Sequence, residues 1–200
     1  MTPEPITWNP IARDYLFDGQ TVTGAQLLDD VEETVQASAQ YIEQLTAEYT
    51  SGQISIAEWQ LGIAYEIKQE HTALMVLANG GVGQMDSAAY GKLGSVLKEQ
   101  YEYLRDFWLQ VERGELSAAE IAARAQLYAH AGYSTYANAV RALNIKSGEF
   151  TEERRVDAGD DKVCDGCAAE SAKKWQPIGT LKEIGDCNCM VRCRCGFEYR

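Results

Sequence analysis

The cysteines of this 200-residue chain are confined to one short segment near its end. All six lie between Cys164 and Cys195, in the spacing C-x2-C-x19-C-x-C-x3-C-x-C, and the preceding 163 residues contain none. Cysteines spread along a chain suggest disulfides that stitch a secreted fold, whereas a tight cluster suggests a small module that folds around a metal ion. The chain therefore divides into a cysteine-free body and a cysteine-dependent module.

The body carries the apolar periodicity of long amphipathic helices. Apolar residues recur at steps of three, four and seven, which places them on one face of each helix. Residues 23–147 are predicted to form four helices, and short turns between long helices favour a bundle or an extended stalk. The predicted inward residues include Leu28, Val31, Ile42, Trp59, Ile63, Ile67, Leu93, Leu104, Trp108, Ile121, Tyr128 and Tyr136.

Local signals mark where these helices begin and where they can be approached closely. Ser55 with Glu58, and Ser117 with Glu120, have the spacing of capping boxes, and Asp86 is a candidate N-cap. Three glycines inside the helices suggest a packing role, since each costs about 1 kcal/mol relative to alanine. Gly91 and Gly94 are expected to admit a neighbouring helix, and Gly132 is a candidate bend.

Residues 1–22 are predicted to form an extended N-terminal arm. They contain three of the four prolines, with Trp8 among them, and proline geometry disfavours a helix there. Two paths stay open for the arm: it drapes over a neighbouring subunit, or it folds back on its own body.

Residues 148–200 are predicted to form a small α+β module that binds one structural Zn²⁺. The segment is too short to fold by apolar burial alone, so a covalent or coordinate bond must supply the difference. Tetrahedral zinc takes four ligands, and C-x2-C spacing brings two thiolates to one ion. The candidate ligands are Cys164, Cys167, Cys189, Cys193 and Cys195, with Cys187 as an alternative to Cys189.

Two other chemistries fit the same cysteines. Six is an even number, so disulfides are an alternative in an oxidising environment. A redox-active C-x2-C is a weaker alternative, since no strand of a thioredoxin-like unit precedes Cys164. Within the module, residues 168–174 are predicted to be a short helix and residues 190–200 a strand. The segment 175–179 between them is predicted to be a turn that packs Trp175 on the metal site.

These residues resemble a family of bacteriophage proteins. Cys164 with Cys167, followed after a spacer by Cys193-Arg194-Cys195, is similar to the C-x2-C and C-R-C of the minor head or head-morphogenesis proteins of tailed phages, the group of the phage Mu F protein. The family usually has a histidine where this chain has Cys189 or Cys187. The helical segments 80–108 and 114–128 also look like those of phage relatives. The resemblance implies a zinc-binding virion component that acts with portal or other head and neck proteins at the portal vertex, in several copies, during capsid assembly in the host cytoplasm.

The charge of the chain is unevenly placed. Residues 151–200 hold nine Lys/Arg against ten Asp/Glu, so residues 1–150 hold nine against twenty within a net charge of −12. The acidic body should repel phosphates. The module offers five cations for weak DNA contact, which makes a zinc-ribbon module that binds nucleic acid or protein the alternative function: Lys173, Lys174, Arg192, Arg194 and Arg200.

No catalytic constellation appears in the sequence. The two histidines, His71 and His130, lie in predicted helices without a nucleophile or carboxylate at a motif spacing. The segment Gly80-Gly81-Val82-Gly83 lacks the lysine and hydroxyl residue of a phosphate-binding loop. The longest apolar run, residues 73–78, is far shorter than the roughly 20 residues of a membrane span. We therefore expect a soluble, non-enzymatic protein.

Overall fold

The computed structural model describes residues 7–9, 14–17 and 20–200, with side chains from Thr21 onward except that of residue 25. Near the N-terminus, β1 (Thr7–Asn9), β2 (Asp14–Phe17) and β3 (Gln20–Val22) form an antiparallel sheet in that order. The rest of the predicted arm lies outside the described residues, and its path over a neighbour or its own body stays a prediction.

Four long helices follow, and their starts confirm the predicted caps. They are α1 (Gly24–Thr50), α2 (Ile56–Ala78), α3 (Ser87–Glu112) and α4 (Ala118–Ser147). Ser55 and Ser117 each form a capping box with the glutamate three residues later, and the Asp86 carboxylate accepts from the Ala89 amide. None of the described helices combines the length and apolar character that crossing a bilayer requires.

The long helices form a bundle, one of the two predicted arrangements. Helices α1, α2 and α4 pack against one another, and α3 packs mainly on α2. Trp59 of α2 lies at the centre of the largest apolar cluster, with its ring 5.0 Å from that of Tyr49 and 5.5 Å from that of Phe107. Its indole N–H donates to the Thr46 hydroxyl at 3.1 Å, so the buried polar atom of this large side chain is satisfied.

The predicted inward face of α1 is wrong at its first turn. Leu28 is 51% exposed, whereas Leu27 is buried. The inward face of α1 also includes Ser38 and Thr46, whose hydroxyls bond to residues of α2. Apolar spacing alone misplaced the face because two of its members are polar.

The predicted roles of the helix glycines are wrong. A Cβ on Gly91 or Gly94 would meet nothing within 4 Å, so no neighbouring helix among the described residues approaches there. Gly132 lies inside the continuous helix α4, and a Cβ there would lie 2.2 Å from Oε1 of Glu70 and 2.7 Å from Leu74. Gly132 is therefore a point of close approach between α4 and the side chains of α2.

A polar layer is buried inside the bundle next to this approach. Glu70 accepts a hydrogen bond from Ser38 at 3.2 Å, and burial raises the pKa of its carboxyl group to about 9. His71 bonds through Nδ1 to the Thr135 hydroxyl at 2.7 Å, and burial lowers the pKa of its imidazole to about 4. Both side chains are consequently neutral at pH 7.

The C-terminal residues form a small α+β module, as predicted, although its elements differ. Strand β4 (Glu152–Val156), which was not predicted, pairs antiparallel with β5 (Gln176–Pro177) on one side and β6 (Gly196–Tyr199) on the other. Helix α5 (Asp165–Ala172) lies between β4 and β5 in the chain.

Two local predictions in the module are wrong. The predicted strand 190–200 is a strand only from Gly196, because Met190–Arg192 form a 3-10 turn in which Met190 takes a φ of +49°. Trp175 does not pack on the cysteines. Instead it lies under the guanidinium groups of Arg154 and Arg200, at 5.1 and 4.5 Å.

We expect Gly132→Ala to destabilise the bundle by about 1–3 kcal/mol, because the added methyl group overlaps the buried Glu70 and Leu74 side chains. Gly91→Ala is the matched control, since its methyl group meets open space and alanine favours a helix by up to about 1 kcal/mol. Urea unfolding followed by circular dichroism at 222 nm checks both. Equal effects of the two substitutions would contradict the close approach at Gly132.

We expect Glu70→Gln to stabilise the protein increasingly as the pH rises from about 5 to 9. The folded-state pKa of Glu70 is about 9 against an ordinary 4.5. The folded state therefore keeps a proton that the unfolded chain releases, and wild-type stability falls across this window. Glutamine has no proton to lose, so the variant should gain at least about 1 kcal/mol over wild type by pH 8. The His71 contribution is common to both proteins and cancels. A pH-independent difference in urea midpoints would contradict the buried neutral carboxyl group.

Candidate metal centre

Two segments of the module bring the cysteines together. Cys164 is the N-cap of α5, and its sulfur accepts a hydrogen bond from the Cys167 amide at 3.4 Å. The other four cysteines lie on the loop before β6, where the 3-10 turn Met190–Arg192 separates Cys189 from Cys193. The hydrogen bond from the Cys167 amide to the Cys164 sulfur is the local geometry expected of a C-x2-C metal knuckle.

The other four predicted ligands gather around the sulfur of Cys167. Two groups of three have sulfurs that lie within 4.8 Å of one another: Cys164, Cys167 and Cys189 form one, and Cys167, Cys193 and Cys195 form the other. The Cys167 sulfur is 3.4 Å from that of Cys189 and 3.6 Å from that of Cys193. Thiolates of tetrahedral zinc are about 3.8 Å apart, given Zn–S bonds of about 2.3 Å. The cysteine cluster can therefore hold a metal ion.

The sixth cysteine, Cys187, is buried but belongs to neither group of three. Its side chain packs against Gly166, where an added Cβ would lie 3.2 Å from the Cys187 Cβ and 3.5 Å from its sulfur. Gly166 therefore leaves room for the second cysteine segment.

None of the six cysteines forms a disulfide in this structure. The two sulfur–sulfur distances from Cys167 are far longer than a disulfide bond of about 2.05 Å. A disulfide joins one sulfur to one partner, whereas Cys167 has several sulfur neighbours. The geometry thus favours a shared metal site over paired disulfides.

Burial and hydrogen bonding move the thiol pKa values in opposite directions. Burial opposes ionisation of Cys164, but hydrogen bonds from Cys167 and Cys189 outweigh it and lower its pKa to about 7. Burial raises the pKa of Cys167, raises that of Cys189 to about 12 and raises that of Cys195 to about 11. Packed thiols of this kind ionise together only when a cation compensates their charge.

A small cavity of about 10 Å³ opens among the sulfurs. It is lined by Cys164, Cys167, Cys189 and Cys195, and by the side chains of Arg192 and Arg194. This volume is about that of one water-sized sphere. The site therefore has room for single atoms and none for an organic cofactor.

The module is fixed to α4 by directional polar bonds near the sulfurs. Asn138 makes two hydrogen bonds to the backbone of Ile184, both of 2.9 Å. The Tyr133 hydroxyl donates to the carbonyl of Cys195 at 3.1 Å, and its ring packs on the cysteine cluster. Helix α4 thus positions both the loop before the cysteines and the last cysteine itself.

A buried ion pair completes this attachment. Arg141 of α4 donates to both carboxylate oxygens of Glu153 in β4, at 2.8 and 2.6 Å, and also to the Leu181 carbonyl at 2.6 Å. Burial alone would raise the pKa of Glu153, but the bonds from Arg141 and the Leu181 amide hold it below its ordinary value. Sequence reasoning missed this pair because Glu153 lies in a charged run that looks like a linker. The only available signal was the alternation of Glu153 and Arg155, which is the period of a strand.

The cations considered for phosphate contact are largely engaged within the module. Arg194 bonds to both carboxylate oxygens of Asp160, at 2.7 and 2.8 Å. Lys173 pairs with Glu170, and Arg200 pairs with Glu152. Among the five candidates, these three already have carboxylate partners, which weakens the case for a phosphate-binding surface.

The two histidines of the chain lie away from the cysteine cluster. His71 is buried in the bundle, and His130 is exposed on α4. Among the described residues, the groups that can hold a metal ion consist of cysteines alone. No protein-family model, curated protein or solved structure matches this chain. The cysteine cluster is therefore the feature of this protein that points to a function.

We expect Arg141→Met to destabilise the protein by about 3–5 kcal/mol, since it leaves the Glu153 carboxylate buried without its cation. Lys92→Met is the matched control, because Lys92 also joins the bundle to the module, through Glu183, but both side chains are about half exposed. Such exposed pairs contribute at most about 1 kcal/mol. Urea unfolding measures both losses. Similar losses would show that the buried pair is not what attaches the module.

Proposed function

We propose that this protein is a structural assembly protein in which bound zinc holds the C-terminal module together on a helical bundle. The observation that carries the proposal is the gathering of four thiol sulfurs around that of Cys167. The buried cluster of the module consists of four cysteines and Ile184, so apolar side chains alone provide little burial there. Metal coordination supplies folding free energy to modules of this kind.

Zinc fits this donor set better than other common ions. Thiolates are soft ligands, which suit zinc and iron–sulfur sites, whereas calcium and magnesium prefer oxygen. The sulfurs of each group lie within 4.8 Å of one another, which suits metal ions bound directly by thiolates. A structural role also agrees with the burial of the central thiol, Cys167, which is 1% exposed.

The finer proposal is a minor head protein of a tailed phage that acts at the portal vertex during assembly of the head. It is motivated by the resemblance of C-x2-C with C-R-C to the phage head-morphogenesis family. The acidic bundle agrees with partners that present basic surfaces, such as a portal or neck protein. The ion pairs of Arg194, Lys173 and Arg200 favour this proposal over nucleic-acid binding.

The zinc proposal predicts bound metal and a metal-dependent module. Protein purified without chelator should contain zinc by elemental analysis. Removal of the zinc, or Cys167→Ser, should make residues 160–200 sensitive to protease while helicity at 222 nm persists. Cys187→Ser is the control, since Cys187 lies outside both groups of three. Metal-free protein with three disulfides would overturn the proposal.

The assembly proposal predicts stable association with a portal complex. The protein should co-purify with portal rings when the two are produced together, and Cys167→Ser should reduce the recovered protein at least tenfold if the module makes the contact. Cryo-electron microscopy of assembled heads gives the independent readout. Absence of the protein from both heads and portal complexes would overturn the virion proposal and leave the zinc module intact.

A further inference from the structure

The cluster contains more sulfurs than a single tetrahedral ion takes. Zinc uses four thiolates, whereas this cluster has five sulfurs, those of Cys167 and of the four cysteines around it. Among the described residues, they form two groups of three and no group of four with all sulfurs within 4.8 Å of one another. The single member common to both groups is Cys167.

This pattern is the one that a bridging thiolate produces. When one sulfur binds two metal ions, each remaining ligand stays within a tetrahedral edge of the shared sulfur and of the ligands on its own ion. Ligands on different ions lie farther apart. The distances from Cys167 to one member of each group are 3.4 and 3.6 Å, both close to the tetrahedral edge of about 3.8 Å. Cys189 belongs to one group and Cys193 to the other.

Charge supports the same arrangement. Four thiolates on one divalent ion carry a net charge of −2, and the fifth sulfur would have to remain protonated beside them. Five thiolates on two divalent ions carry only −1. Arg155 is 2% exposed, and two of its guanidinium nitrogens, Nε and Nη1, have no hydrogen-bond partner among the described residues. Its buried positive charge can balance the remaining negative charge.

We propose that the module binds two divalent metal ions of the zinc type, with Cys167 as the thiolate shared between them. One ion takes Cys164 and Cys189 as its further ligands, and the other takes Cys193 and Cys195. Each ion keeps one position for a water molecule or another donor, and the small cavity beside Cys164 and Cys195 gives solvent access to that space. The inference rests on the proposed zinc module and goes beyond it in the number of ions and the role of Cys167.

Cobalt titration of the full chain tests the proposal. Metal-free reduced protein should bind two equivalents of Co²⁺ per chain, measured by thiolate-to-cobalt absorption and by native mass spectrometry. The electron paramagnetic resonance signal should rise over the first equivalent and fall over the second, because the shared thiolate couples the two spins. Saturation at one equivalent would overturn the two-ion proposal and keep the zinc module. Binding of no metal would overturn both.

Single substitutions assign the ligands. Cys164→Ser and Cys195→Ser remove one member of different groups, so each should lower the stoichiometry from two to one and abolish the loss of resonance signal. Cys187→Ser is the matched control, since it changes a buried cysteine outside both groups and should leave two ions. Loss of an ion in Cys187→Ser, with two ions kept in Cys195→Ser, would overturn the assignment. The wild-type stoichiometry decides the main point even if a variant fails to fold.

Discussion

The sulfur of Cys167 lies where the two cysteine-bearing segments of the C-terminal module contact each other, and the folded structure of the module depends on this contact. One segment supplies the N-cap of a short helix, and the other is a loop with little regular structure. Few apolar side chains are buried between them, so close packing cannot fix their relation as it does in the bundle. The proposed coordinate bonds are directional and strong enough to do so, and the confinement of all six cysteines to so small a part of the chain agrees with the proposal.

The attachment of the module to the bundle uses a different kind of interaction. Arg141, Asn138 and Tyr133 follow one another along α4 and bond to three separate parts of the module. Buried polar bonds of this kind demand one geometry, since any displacement leaves a charge or a donor without its partner. The cysteine cluster is therefore held in a fixed position relative to the helices.

The bundle itself combines ordinary apolar packing with a neutral polar layer. Trp59 and Phe107 anchor the apolar part, while Glu70 and His71 lie buried between α2 and its neighbouring helices, Glu70 next to Gly132 of α4. A protonated glutamate and a neutral imidazole can be buried there because each retains a hydroxyl partner. The polar layer specifies how the helices pair, since another register would leave these groups without partners.

The sequence by itself determined the four long helices, three of their caps and the separation of a cysteine-rich module. These features depend on residues three or four positions apart, which a single chain displays directly. It also indicated the five cysteines that gather, because their spacing is local within each segment. Only the tertiary structure decided that Leu27 faces inward, that Gly132 admits α2 and that Glu153 is a buried partner of Arg141. Each of these features depends on which distant segment of the chain lies opposite. A charged residue in a linker-like run looks the same in sequence whether it faces water or a buried guanidinium group. The sharing of Cys167 between two groups was hidden for the same reason, since it arises only when the two cysteine segments fold against each other.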